Sequence, residues 1–248
     1  MRRIIACHFD GPGTGQRWPR MARAFEYSVR THCAGWQFAA IQLPMPPRRA
    51  GVSDSHAANT AKLDHWCERF AEAADGDEVL LIDVDTVILK PLEDVWERSF
   101  DIAYTVRPPD YPHPINGGVL FLRVSPTTRL FMARWRQVNH QMLADRALRD
   151  RWRKYAGINQ RAFGSLLEER RVDLGELLAL PCHEWNCEDS AWASFDPAVT
   201  RILHLKSALR STIFDSPARP PLKPHLRSLA RTWSLVEQDA LRDSTARP

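Results

Sequence analysis

No apolar run in this 248-residue chain approaches the ~18 residues that a membrane-spanning helix needs. Behind the N-terminal arginines stands only Ile4-Ile5-Ala6-Cys7, too short for a signal-peptide core. Both absences make the cytoplasm the expected address. Cysteine is scarce, five residues with no C-x-x-C pair, which argues against a disulfide framework and suits a reducing compartment. Cys182 and Cys187 flank His183, but a C-x4-C without a partner pair is weak evidence for zinc. Internal repeats and low-complexity tracts are missing too. With 44% hydrophobic and 26% charged residues, the composition excludes disordered, collagen-like and coiled-coil architectures. The main part of the chain also lacks a basic excess. From Leu205 onward eight Lys/Arg face four Asp/Glu, so the net charge of +4 sits in that tail and residues 1–204 balance at 26 of each sign. A nucleic-acid partner is therefore not expected.

What is present reads as strands alternating with helices. Arg3–Cys7 is a first buried strand, followed by the loop Asp10-Gly11-Pro12-Gly13-Thr14-Gly15. Trp18, Met21, Ala22, Phe25 and Val29 recur at helical spacing. Phe38–Leu43 gives a second strand, closed by Pro44, Pro46 and Pro47. A second helix carries Leu63, Trp66, Cys67, Phe70 and Ala74 on one face, and Val79–Ile82 begins a third strand. This order predicts β-α-β units and a sheet buried on both faces. Further strand candidates are Asp101–Val106, Gly118–Val124 and Val199–Leu205, with helices around Thr127–Leu143 and Asn159–Arg170. Pro217, Pro220, Pro221 and Pro224 make a linker. Beyond it Leu226, Leu229, Trp233, Val236 and Ala240 form one more amphipathic helix.

The most informative segment is Val79-Leu80-Leu81-Ile82-Asp83-Val84-Asp85-Thr86-Val87-Ile88-Leu89. If strand geometry persists through it, Asp83 and Asp85 point the same way. Two like charges near a core are costly unless a cation or hydrogen-bond donors compensate. A hard divalent metal does so, and Mg²⁺ is typically held by one or two carboxylates together with substrate phosphates. Alternatively the strand ends at Ile82 and both aspartates are solvated turn residues. The segment also matches the D-x-D-x-T/V motif of haloacid-dehalogenase phosphatases, with Asp83 as nucleophile and Asp85 as acid/base. That motif normally follows the first strand, whereas about 80 residues precede it here, and the second acidic motif of that family is missing.

The stretch from Thr60 to Leu92, with Lys62 early in a helix, Asp83-Val84-Asp85-Thr86 and then Lys90-Pro91-Leu92, resembles the nucleotide-sugar-binding core of A-type glycosyltransferases. It is most similar to family eight, the group of glycogenin, galactinol synthase and lipopolysaccharide galactosyltransferases. About 30 residues after its D-x-D that family has an N-x-G strand, and this chain has Ile115-Asn116-Gly117-Gly118-Val119. By themselves paired glycines opening a strand mark either a close ligand or a bulge. Gly157-Ile158-Asn159-Gln160 lies where relatives have an Asp-Gln pair near the anomeric carbon, with Asn here in place of Asp. His204, which alone in an apolar strand would read as a hydrogen-bonded core residue, stands where the family places a third metal ligand.

The resemblance implies a divalent metal cofactor, Mn²⁺ or Mg²⁺, held by Asp83, Asp85 and His204. It implies donor contacts from Ala6, Asp10, Lys62, Asp83, Asn116, Gly117, Gly118 and Lys206, and catalytic positions at Asn159 and Gln160. Asp10 reads equally as the start of a Gly-Pro turn. The family's lysine-proline-tryptophan element is absent, so the phosphate partner falls to Lys206 or Arg210. Trp185-Asn186 resembles a tryptophan-asparagine pair near the sugar site of some relatives, or is a packed tryptophan.

The expected fold is α/β, a Rossmann-like mixed, mostly parallel sheet flanked by helices. Residues 1–215 form the catalytic domain; residues 216–248 form a Pro-rich linker and a basic amphipathic helix. The expected activity is metal-dependent transfer of a sugar from a nucleotide-diphosphate donor to a glycan, lipid-linked or protein acceptor, with retention. An inverting enzyme would need a base, for which Glu184, Glu188 and Asp189 are candidates. The other readings are the phosphatase and a catalytically inactive nucleotide-sugar-binding protein. Arg227 and Arg231 lie beside the Leu226/Leu229/Trp233 face. They imply either peripheral docking on an anionic membrane, at its inner face, or a helix packed on the core with a solvated basic side.

Overall fold

The computed structural model describes residues 3–10, 17–43, 51–170, 172–214 and 223–246. Six strands form the central sheet: β1 (Arg3–Asp10), β2 (Gln37–Leu43), β3 (Glu78–Ile82), β5 (Ile102–Val106), β6 (Ile115–Arg123) and β7 (Leu177–Pro181), in the order β2-β1-β3-β6-β5-β7. Only β6 runs against its neighbours; the pairs β1–β2, β1–β3 and β5–β7 are parallel. A separate ladder pairs β4 (Thr86–Ile88) antiparallel with β8 (Ile202–His204). The expected mostly parallel α/β sheet is observed.

β3 is buried along its whole length, as a strand covered on both faces must be. Its alternate side chains enter different cores. Val79 and Leu81 join Leu63, Trp66 and Phe70 of α2 (Asp54–Ala71), Phe131 and Trp135 of α3 (Pro126–Ala144), and Phe163 of α5 (Ile158–Glu169). Leu80 and Ile82 face Phe25 and Val29 of α1 (Arg17–His32), together with Phe121 of β6 and Trp185 of the short α6 (Cys182–Trp185). Local signals start the helices. Ser53 caps α2, and at α3 Ser125 and Thr128 form a capping box ahead of Pro126. Asp145 caps the short α4 (Arg146–Arg151).

Two strands lie outside the expected set. β7 is a half-buried edge strand ending on Pro181, a residue that a ladder tolerates only at such places. β4 belongs to the apolar run after the D-x-D, but the chain has turned before it. Strand geometry therefore does not persist through Asp83-Val84-Asp85.

The C-terminal helix α8 (Pro224–Ala246) lies on α1, with Leu229 and Trp233 fully buried and Phe214 of α7 (Ser207–Phe214) edge-on to Trp233. Arg20 grips Glu237 through two hydrogen bonds and Arg30 pairs with Asp243. The acidic residues Glu237 and Asp243 are thus tied inward, while Arg227, Arg231, Leu235, Leu241 and Arg242 are exposed. The proline linker at 217–221 lies outside the described residues. Among the described residues no helix is long and apolar enough to cross a membrane.

Candidate active site

The site is built where β3 ends. Asp83 N–H donates to Gly118 O, the Thr86 hydroxyl donates to Asp83 O, and Leu205 N–H donates to Asp85 O, so the turn is fastened to β6 and to the end of β8. In the β4–β8 ladder Thr86 pairs with His204, which sets the imidazole beside the turn. One ligand atom from each of Asp83, Asp85 and His204 lies within 4.8 Å of the others. His204 Nε2 is 3.1 Å from Asp85 Oδ1 and 3.9 Å from Asp83 Oδ2. Asp83 is partly exposed whereas Asp85 is only 8% exposed, so the aspartates are turn residues but not freely solvated ones.

Each of the three side chains has an outer partner. Lys62 Nζ, stacked over the Trp66 ring, lies 2.6 Å from Asp83 Oδ1. Arg210 Nη1 lies 2.8 Å from Asp85 Oδ2. Asn186 Oδ1 lies 2.8 Å from His204 Nδ1. Outer partners of this kind orient metal ligands. Burial alone would raise the Asp85 carboxyl, but His204, Arg210 and Lys206 bring it below the usual carboxylate range. Two carboxylates and one imidazole suit a hard to borderline divalent cation.

β6 is shaped to this triad. A Cβ on Gly118 would fall 2.7 Å from His204 Cε1 and 2.8 Å from Asp83 Oδ2, and one on Gly117 would fall 3.0 Å from Gln160 Cγ. The glycines thus allow close approach of side chains and also lie in a bulge: Tyr104 of β5 pairs with Leu120 and Thr105 with Asn116, so Gly117, Gly118 and Val119 have no ladder partner on β5. Gln160 Oε1 accepts Gly117 N–H and Asn116 Oδ1 accepts Gly118 N–H. Among the described residues the buried Asn116 Nδ2 has no hydrogen-bond partner. Asn159 is buried beside Gln160 in the first turn of α5, its backbone O accepting the Trp135 indole N–H.

The structure thus brings together Lys62, Asp83, Asp85, Asn116, Gly117, Gly118, Asn159, Gln160 and His204. Lys206 follows β8 but turns its Nζ to Glu188, 3.3 Å away. Ala6 pairs with Leu81 and Asp10 with Leu43, so β1 ends at the same sheet edge, but both side chains lie outside the described residues. Asn186 is fully buried behind His204 rather than at a sugar-facing surface, and Trp185 packs edge-on to Phe121. Cys182 and Cys187 are buried thiols pushed up to about 12 by desolvation, unsuited to thiolate ligation.

Sequence reasoning missed one buried network. Arg107 donates to both oxygens of Glu188 at 2.9 Å, and Ser190 Oγ and Lys206 also reach Glu188. Glu188 is therefore no free base, and Glu184 is engaged by Arg201. Asp189 is the more exposed of the three candidates, its carboxyl raised by burial and by Glu188. Beside it, at the ends of β5 and β7, lies a cavity of about 370 Å³ lined by Arg107, Pro108, Pro109, Pro181, Cys182 and Ala191, among others.

No family model matches the sequence, and no curated protein sequence does. Among solved structures the chain is similar to a glycosyltransferase involved in the glycosylation of the major capsid of PBCV-1. That likeness has a TM-score of 0.58 at 12% identity over 94% of this chain and 100% of the other. It is also similar to the glycosyltransferase GlyE of Streptococcus pneumoniae TIGR4, with a TM-score of 0.56 at 14% identity over 98% of this chain. The apo form of GlyE scores 0.57 at the same identity and coverage of this chain. The chain spans 65% and 63% of the two GlyE chains, less than two thirds of that protein. At these identities the likeness is one of fold, and the fold is that of glycosyltransferases.

Proposed function

We propose that this chain is a metal-dependent glycosyltransferase that moves a sugar, with retention, from a nucleotide-diphosphate donor to an acceptor. The observation that carries the reading is the Asp83, Asp85 and His204 group, each member held by its own outer partner at the end of β3. A divalent cation held there, Mn²⁺ or Mg²⁺, would supply Lewis-acid neutralisation of charge on the departing nucleoside diphosphate. The imidazole favours Mn²⁺ over Mg²⁺, which prefers oxygen.

The chain's own residues do the positioning. Lys62 and Arg210 neutralise the two carboxylates and hold one oxygen of each, leaving the other turned to His204. The unpartnered Asn116 Nδ2 donates to the donor sugar or its phosphate. Gln160, anchored through its carbonyl on Gly117, keeps its amide N–H groups for the sugar. Asp10 ends β1 on the nucleoside side, with Ala6 four residues earlier in the same strand. The cavity at the ends of β5 and β7 is the acceptor side. Retention fits the engagement of Glu184 and Glu188 in ion pairs, and a proton nuclear magnetic resonance spectrum of the first-formed product anomer tests it. The activity resides in residues 1–215, with 216–248 as an appendage.

Asp83→Ala and Asp85→Ala, assayed for nucleotide-sugar hydrolysis and transfer with Mn²⁺, test the mechanism. Each is expected to lose Mn²⁺ binding and at least a hundredfold in turnover, on the scale of a lost electrostatic stabiliser. Undiminished turnover in folded variants removes the mechanism. Release of p-nitrophenol from p-nitrophenyl phosphate that depends on Asp83 favours the phosphatase instead. Donor binding without turnover across an acceptor panel favours the inactive binding protein.

A further inference from the structure

We infer that Trp18 is a positioning residue: its indole face seats the Arg210 guanidinium on one oxygen of Asp85 and so leaves the other turned to the Asp83–His204 side. Among the described residues Arg210 grips Asp85 through Nη1 alone, 2.8 Å from Oδ2, and its buried Nε has no hydrogen-bond partner. A guanidinium held at one corner can turn, and a turned fork can engage both carboxylate oxygens at once. That would occupy Oδ1, the oxygen 3.1 Å from His204 Nε2. What restrains the turn is the Trp18 ring, whose centroid lies 5.5 Å from Arg210 Cζ. The distance is within reach of a cation–π contact, for which tryptophan is the best of the aromatic side chains.

The same arrangement recurs on the other carboxylate. Lys62 Nζ lies 4.6 Å from the Trp66 ring centroid and 2.6 Å from Asp83 Oδ1. Each aspartate of the group is thus held by one cation, and each cation stands over one tryptophan. The two rings differ in what else they do. Trp66 is fully buried in the core, against Trp135 of α3, so its loss would mix packing with positioning. Trp18 stands in the first turn of α1 and is only partly buried, so its ring can be altered with less damage to the core. The consequence for metal binding rests on the proposed function, whereas the seating of Arg210 does not.

Tryptophan analogues of increasing ring fluorination, introduced at position 18 alone, nearly keep the shape of the ring while draining its face of negative potential. Mn²⁺ affinity, read by calorimetry without nucleotide, is expected to fall stepwise along this series. In Trp18→Leu it is expected to fall about three- to tenfold, the scale of a lost cation–π contact, and Trp18→Phe, which keeps an aromatic face, should lose less. In an Arg210→Gln background none of these changes should lower the affinity further, because residues that act through one contact are not additive. Equal losses in both backgrounds overturn the inference by making Trp18 a packing residue, and so does an affinity indifferent to fluorination. If Trp18→Leu does not fold, the fluorinated series decides. A second readout needs no metal: in chelator, exchange of the Arg210 Nε hydrogen with water, followed by nitrogen-15 resonance and assigned from Arg210→Gln, should quicken along the same series. Exchange that ignores position 18 also overturns the seating. A wild type that binds no Mn²⁺ yet shows the quickening supports the seating while removing the metal reading.

Discussion

Arg210 on α7 reaches Asp85 at the oxygen that does not face His204, with Nη1 and Oδ2 2.8 Å apart. Lys62 on α2 does the same for Asp83. The two carboxylates and two cations cancel, so a divalent metal added to the group leaves a net +2 to meet a diphosphate. Removing either cation unbalances that sum by one charge. Lys62→Gln and Arg210→Gln are each expected to weaken binding of a nucleoside diphosphate with Mn²⁺ about tenfold, equal to ~1.4 kcal/mol. The loss should be larger at low ionic strength, because salt screens the missing charge. Calorimetry at two salt concentrations checks this, and affinity unchanged in both variants would contradict it.

Gly118→Ala is the sharpest steric test of the site. Its Cβ would meet His204 Cε1, Asp83 Oδ2 and Asn116 Oδ1, all closer than 3.0 Å, whereas on Gly117 it would meet the flexible Gln160 at 3.0 Å. Overpacking a rigid cluster costs roughly 1–3 kcal/mol, and in a chain of this size each kcal/mol lowers Tm by about 2–4 °C. Gly118→Ala should therefore lower Tm clearly and abolish Mn²⁺ binding. Gly117→Ala should have a smaller effect on both. Equal Tm and Mn²⁺ affinity in the two variants would show that Gly118 is not the constrained position.

Much of this arrangement is legible in the sequence, because its elements carry local periodicity and its site residues stand at element ends. Val79–Ile82 and the helix of Lys62 are found where the apolar pattern puts them, whereas the strand of Asn116 begins at Ile115, three residues before the expected Gly118. The turn at Asp83–Asp85 was harder to read, since apolar residues continue at Val84, Val87 and Ile88. Pairing with the distant β8 moves that run into a second sheet. Arg107 and Glu188 are 81 residues apart and share no local signature. Asn186 likewise acquires its partners, Thr105 and His204, only through tertiary packing.

The Arg107–Glu188 pair should behave as a buried ion pair, their side chains being 3% and 0% exposed. Arg107→Met strands the Glu188 carboxylate and is expected to cost about 3–5 kcal/mol, while Arg107→Met/Glu188→Leu recovers most of it. Burial opposes ionisation of Glu188, yet hydrogen bonds from Asp189 and Arg107 and the charge of Lys206 hold its carboxyl below the ordinary range. A carboxyl lowered on folding stabilises the protein above its unfolded pKa, and that contribution is lost as pH falls through the lower folded value. Asp189, raised on folding, works in the opposite sense. In Arg107→Met the Glu188 carboxyl rises, so the Tm deficit should be largest at neutral pH and shrink toward pH 4. A deficit independent of pH would contradict the pairing.

The outer face of α8 offers the last test. The expectation that Leu229 and Trp233 meet a membrane does not fit their burial against the core. Any docking must use the exposed side, where Leu235 and Leu241 lie among Arg227, Arg231 and Arg242. Truncation after Ser216 is a poor probe, because it would strip Leu229 and Trp233 from their cluster and leave Met21 and Leu209 as new apolar surface. Charge reversal is cleaner: with ~1 kcal/mol per basic residue near an anionic surface, losing two should weaken binding roughly thirtyfold. Arg227→Glu/Arg231→Glu is thus expected to abolish co-sedimentation with anionic vesicles while leaving Tm near wild type. Neutral vesicles should bind neither protein, and equal sedimentation of wild type and variant with anionic vesicles would leave α8 as a packed helix with a solvated basic side.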